Sequence, residues 1–310
     1  KQAGAILKVE YGQKSSLDDT IEQSLQEIQS ANLFTLPEVI EALGPNYSCT
    51  GLYKVNGLKS TYQTRFGPMG ERRVVKIDRN PNSLSPRLRG YLEKKGLDIR
   101  NEFNILAGLE DPGRHFIADI VDYRESAESG AIISVERYFG DFDLDEFVMK
   151  EHAEGRKLSL KDIQGISSKM LVAADCFSNE LEAYHRDWKG SNVRVKRMGD
   201  GTLDLRVTDA ANGCKKAEVS ENVLPTVGGR NVTDPLLIGA FTGSERAYGD
   251  DSEIYGISST LLMSSIGYYK FEIDLENLNA RAFTSVDDKV GVDLLTENGT
   301  IDVKKYHKFL

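Results

Sequence analysis

The chain reads as an α+β protein in two parts, a strand-rich part followed by a larger and mainly helical one. Three observations support this. A length of 310 residues leaves room for about two domains. Short apolar runs bounded by turn residues recur between Leu43 and Val135, as strands require, and from Ile163 to Tyr184 apolar residues recur at steps of three and four, as on a helix face. The resulting boundaries are a helical N-terminal extension over 1–38, a strand-rich part over 39–138 and a helical part over 139–310.

In the extension, Leu17, Ile21, Leu25 and Ile28 share one helix face behind a cap at Ser16. This helix either packs on the strand-rich part or receives a regulatory partner. Strand signals begin after Leu36-Pro37, with a hairpin over Leu43 to Val55, then Arg72 to Ile77, Phe116 to Val121 and Ala131 to Val135, for a five-stranded sheet. The stretch Asn80 to Pro86 breaks any helix, so the helix carrying Glu102 starts after it. Asp143 to Lys150 opens the second part, and the long helix from Ile163 comes next. Val193 and Val195 pair through the turn Arg197 to Gly201 with Leu203, Leu205 and Val207. Ser220 to Gly243 is polar and Gly-rich without period, and Ile254 to Gly267 is a helix apolar on nearly every side.

Apolar residues make up 40% and charged residues 28%, an ordinary globular mix, and no run approaches the length of a membrane span. A net charge of −9 with no basic run argues against a nucleic-acid partner. Cys49, Cys176 and Cys214 lack C-x-x-C spacing and four scattered histidines form no metal box, so reduced thiols and a cytoplasmic location are expected. The chain opens at Lys1, not Met, with no signal pattern, which leaves room for flanking segments.

The chemistry is concentrated in Tyr184-His185-Arg186-Asp187-Trp188-Lys189-Gly190-Ser191-Asn192. A carboxylate, an ammonium and an amide stand between a helix and a strand, where no core needs them. The spacing resembles H-R-D-x-K-x-x-N, the catalytic loop of the eukaryotic-like Ser/Thr protein kinase family, with a compact or bacterial effector-type member as the nearest likeness. The resemblance implies that Asp187 is the catalytic base, that Lys189 steadies the γ-phosphate and that Asn192 binds Mg²⁺.

Other parts of that family's pattern occur in order along the chain. Val74-Val75-Lys76-Ile77 resembles V-A-I-K, whose Lys binds phosphates and pairs with a helix Glu. Glu102-Phe103-Asn104-Ile105-Leu106 supplies E-x-x-I-L, 26 residues after Lys76, with Glu93 as the alternative. Gly44 and Gly51 stand where the family keeps its glycine-rich phosphate hairpin; their spacing departs from G-x-G-x-x-G and on its own reads as an ordinary hairpin, so the phosphate role is implied by position in the resemblance alone. Glu136 to Gly140 matches the hinge, with backbone groups of Glu136 and Tyr138 facing adenine and Val135 as gatekeeper. Asp209, 22 residues after Asp187, takes the place of the Mg²⁺-binding Asp of D-F-G, but Ala210 and Ala211 replace its Phe and Gly, so Phe-driven switching is not expected. Gly243-Ser244-Glu245 stands for A-P-E, and Ser220, Thr226 and Thr233 are acceptor candidates for a phosphate that Arg186 would pair with, unless it pairs with a nearby carboxylate or carbonyl. Glu253 replaces the Asp that opens the family's central helix.

The implied fold is bilobal: a small antiparallel β-sheet lobe with one main helix, and a larger helical lobe with shortened C-terminal helices, unless the protein continues past Leu310. The implied activity is transfer of the ATP γ-phosphate to Ser or Thr of a protein substrate, with Mg²⁺ (or Mn²⁺) on Asn192 and Asp209, in the cytoplasm or, for a secreted effector, the host cytosol. A pseudokinase scaffold and a small-molecule phosphotransferase are the alternatives.

Overall fold

The computed structural model describes residues 36–55, 59–78, 99–107, 115–126, 130–219, 248–274, 279–285 and 290–297, with isolated positions at 86, 109, 288, 301–302, 304–305 and 308. The helix expected over Ser16 to Ala31, Glu93, the polar stretch Ser220 to Gly243 and Glu245 lie outside these residues. The architecture is α+β with antiparallel sheets.

The chain enters through α1 (Leu36–Leu43), where a strand was expected. Pro37 sits in the first turn, where its missing N–H costs nothing, and Gly44, at φ 81°, closes the helix by donating to Ile40 O at 2.9 Å. Val39 and Leu43 are fully or nearly fully buried. Strands β1 (Tyr47–Val55), β2 (Lys59–Phe66), β3 (Glu71–Asp78), β4 (Ile120–Glu125) and β5 (Ile132–Arg137) form one sheet in the order β1-β2-β3-β5-β4. Helix α2 (Ile99–Leu106) packs on it, and Asp78 Oδ2 accepts from Ile99 N at 3.2 Å at its start.

Strand parity decides which side chains meet. Lys76 stands opposite Thr61 of β2 and Ser134 of β5. Because alternate residues share a face, Lys59, Thr61, Val74, Lys76, Ser134 and Glu136 lie on one side. Tyr62, Val75, Ile77, Ile133 and Val135 lie on the other and form a hydrophobic cluster with Val39 and Leu43 of α1. Val135, expected to face the nucleotide, therefore faces away from Lys76.

Beyond β6 (Phe142–Asp143), helix α3 (Leu144–Ala153) starts from a capping box of Asp143 and Glu146. Helix α4 (Leu160–Asp175) ends in a π-helical turn, Cys176–Glu180, so the long helix stops short of Tyr184, which lies in β7 (Ala183–Tyr184). Strands β8 (Val193–Arg197) and β9 (Leu203–Val207) pair as expected and join β6. β10 (Cys214–Lys215) pairs with β7, and α5 (Asp250–Ile266) carries the second apolar run. A second hydrophobic cluster spans Ile105 and Leu106 of α2, Ile166 and Met170 of α4, Trp188, β8, β9 and Met263 of α5.

In the described residues after Gly267 the chain forms β11 (Phe271–Asp274), β12 (Asn279–Ala282) and β13 (Val292–Asp293) where shortened helices were expected. Phe271, Ala280 and Ala282 are buried, and the last two alternate along β12, a period of two that no helix would use. No helix among the described residues is long and apolar enough to cross a membrane.

Candidate active site

Between the sheet and the helical part, charged residues from β2, β3, β5 and α2 meet the segment after β9. Lys76 is 6% exposed, with Glu102 Oε1 at 2.8 Å on one side and Glu136 Oε1 at 2.5 Å on the other. Burial opposes its positive charge, but Glu102 and then Glu136 outweigh that, and its pKa is raised. Burial likewise raises the pKa of Glu136. Asp209 resists burial the other way: Lys59, Lys76 and Lys189 hold its pKa far below the usual carboxylate range.

Lys59, which sequence reasoning passed over, ion-pairs directly with Asp209 and lies 3.9 Å from Glu102 Oε2. Its signal was parity alone, since the register of β2 puts it on the face of Lys76. Asp209 itself has a left-handed backbone, φ 65° and ψ 55°, and directs Ala210 N toward Glu102 Oε1 at 3.2 Å. Asn101 of α2 donates to Ala211 O at 2.8 Å and Gly213 O at 2.9 Å.

The loop His185 to Asn192 is fixed from α5. Glu253 accepts from His185 N (2.9 Å), Arg186 N (2.8 Å), Trp188 Nε1 (2.7 Å) and Tyr248 OH (2.5 Å). A carboxylate buried at 7% exposure is thereby satisfied by four donors. Trp188 packs in the large cluster beside Phe177, and Arg186 adopts φ 65° with its guanidinium over the Tyr248 ring.

On Asp187, one carboxylate oxygen, Oδ2, accepts from Lys189 Nζ (2.6 Å), Asn192 Nδ2 (3.0 Å) and Asn212 Nδ2 (3.1 Å). Asn212 was also missed; the only sign of it was the unusual Asp-Ala-Ala-Asn run. Thr208 N donates to Asn192 O at 2.8 Å, which ties the strand end before Asp209 to the loop. Burial works against the Lys189 charge, but Asp187 and Asp209 raise its pKa.

The remaining sequence candidates fall elsewhere. Gly44 spends its N–H on capping α1, and Gly51 sits at an irregularity within β1, so neither glycine lies between two strands. The glycine signal misled because Asn56-Gly57, a stronger hairpin dipeptide, lies further on. Glu136 belongs to β5 and meets Lys76 through its side chain, where backbone contacts at a hinge were expected. Tyr138 N donates to Arg72 O at 3.4 Å, and its ring lies 3.6 Å from the Arg72 guanidinium. A cavity of about 270 Å³ opens beside Tyr138 between Gln63, Arg65 and Arg72.

Among the described residues no group of three or more His, Cys, Asp or Glu side chains could hold a metal ion alone. Mg²⁺ asks for less, one or two carboxylate or carbonyl oxygens completed by water and phosphate. Asp209 and the side-chain oxygen of Asn192 are donors of that hard kind, so the residues fit the metal. In comparison with known proteins, no family model matches the chain and no curated protein matches it, which leaves the geometry of this cleft as the ground for assigning a function.

Proposed function

We propose that this chain is a Ser/Thr protein kinase of bilobal fold, using ATP and Mg²⁺. The observation that carries the reading is the convergence on one cleft of the Lys76–Glu102 pair, Asp209, and the Asp187, Lys189 and Asn192 set. Phosphoryl transfer asks a protein mainly for positioned cations, a metal and an oriented hydroxyl. Lys76, kept charged and straight by Glu102 and Glu136, orients phosphate oxygens. Asp209 and Asn192 would hold Mg²⁺, which would supply charge neutralisation for the transferring group. Asp187 has one oxygen tethered by three donors, so its carboxylate is fixed in direction and accepts the proton of the acceptor hydroxyl. Lys189, already beside Asp187, offsets charge developing on the phosphoryl group.

A scaffold that binds without turnover is the second reading, favoured by the ion pair that engages Asp209 and by Ala210-Ala211. Incubation with γ-labelled ATP and Mg²⁺, with a generic Ser/Thr protein as acceptor and mass spectrometry of both proteins, separates the two. Transfer is expected, and Asp187→Asn should lower it by at least about 100-fold with an unchanged circular dichroism spectrum. Labelling by Asp187→Asn equal to that of the wild type would overturn the assignment, and no labelling of either protein would favour the scaffold.

A further inference from the structure

The cleft holds more carboxylate than its recognised lysine can balance. Lys76 lies between Glu102 and Glu136, and Asp209 stands beyond them. Counted as ionised, those four side chains leave the face turned to a triphosphate at about −2, which repels a polyanion. Lys59 changes that balance. It enters from the first residue of β2, with its side chain only 10% exposed and no apolar reason to be buried. It reaches past Lys76 to Asp209, and the nearby Glu102 Oε2 has no hydrogen-bond partner among the described residues.

We propose that Lys59 is a second phosphate-binding cation, stored on Asp209 in the free protein and exchanged for the metal when the nucleotide enters. The inference rests on the phosphotransfer reading above and goes beyond it, because it assigns one residue two successive partners. In the free protein the ammonium occupies the carboxylate that would otherwise meet Mg²⁺, and pairs a partly exposed Asp209 with a buried cation. With Mg²⁺ and the triphosphate bound, Asp209 would hold the metal, and Lys59, released from it, would take phosphate oxygens.

Opposite shifts in two affinities distinguish this exchange from a structural role. Titration of nucleotide-free protein with Mn²⁺, read by electron paramagnetic resonance, should show Lys59→Met binding the ion about tenfold more tightly than wild type, because Asp209 is released. Calorimetric titration with ATP and Mg²⁺ should show the same variant binding about tenfold more weakly, and Lys59→Arg, which keeps the charge, should recover nucleotide affinity to within about threefold. If Lys59→Met leaves both affinities unchanged, or weakens both while Lys59→Arg does the same, the exchange is overturned. Asp209→Asn tests the underlying reading separately: nucleotide affinity unaffected by it would remove Asp209 from the site, whatever Lys59 does. Tighter Mn²⁺ in Lys59→Met with no loss of nucleotide affinity would keep the storage contact and overturn the phosphate role.

Discussion

Asp145 shows at the residue scale how the loop from His185 to Asn192 is supported from beneath. Its Oδ1 accepts from Tyr269 OH at 3.0 Å, and the same hydroxyl receives Gly190 N at 2.8 Å. Burial pushes the Asp145 carboxyl up to about 6 against the opposing Tyr269 hydrogen bond. A free Asp titrates near 3.9. Between those values the folded chain keeps a proton that the unfolded chain has lost, so stability falls as pH rises through that window, and the cost is complete above it. Asp145→Asn should therefore gain on wild type by on the order of 1 kcal/mol between pH 4.5 and pH 7.5, read from denaturant midpoints, and a pH-independent difference would contradict the raised value. Lys76, Glu102, Asp187, Lys189, Asn192 and Asp209 were all legible in the sequence, since spacing marked them. Lys59 was not, because a lysine opening a strand looks like any surface lysine until the register of β2 against β3 sets its face.

At the scale of elements, strand existence was easier to read than strand limits. Strands β3, β4 and β5 were visible as apolar runs, yet β4 begins at Ile120, not Phe116; the hairpin expected over Leu43 to Val55 is the end of α1 and the single strand β1, and β2, with its mixed polar sequence, went unread. Val135 faces the cluster under α1, because neighbouring residues of a strand point to opposite faces and a position read one residue off changes sides. Helix α1 was missed because eight residues give barely two turns of periodicity, and Pro37 read as a breaker when it was a first-turn residue. The contact of β6 with β8 depends on Gly140, at φ 68°, where an added Cβ would lie 2.2 Å from Val195 O. Gly140→Ala should lower stability by roughly 1–3 kcal/mol, from left-handed strain and backbone collision together, while Gly199→Ala, which meets open space, should change it little. Equal denaturation curves for the two variants would refute that account.

At the scale of the whole molecule, α2 joins the larger hydrophobic cluster to the sheet. Its Ile105 and Leu106 belong to the larger cluster, while Glu102 reaches Lys76 in the sheet and Asn101 holds the segment after Asp209. Asn101→Ala leaves two carbonyls without their donor and should cost about 1–3 kcal/mol. Amide exchange across 209–214 should quicken in that variant well before exchange in β8 and β9, and uniform exchange would mean that α2 does not couple the two parts. No sequence pattern displayed this bridge, since Asn101 and Ala211 are 110 positions apart and the contact uses backbone oxygens that every residue carries.

The left-handed backbone at Asp209 ties these observations to a single bond. An aspartate visits that conformation only as a minor state, at a cost on the order of 1 kcal/mol, so neighbouring contacts must keep it there. Were φ to slip back to negative values, the carboxylate would leave Lys59, and Ala210 would withdraw its amide from Glu102. Both contacts rest on that one backbone setting, so its loss would free the segment after β9 from β2 and from α2 at once.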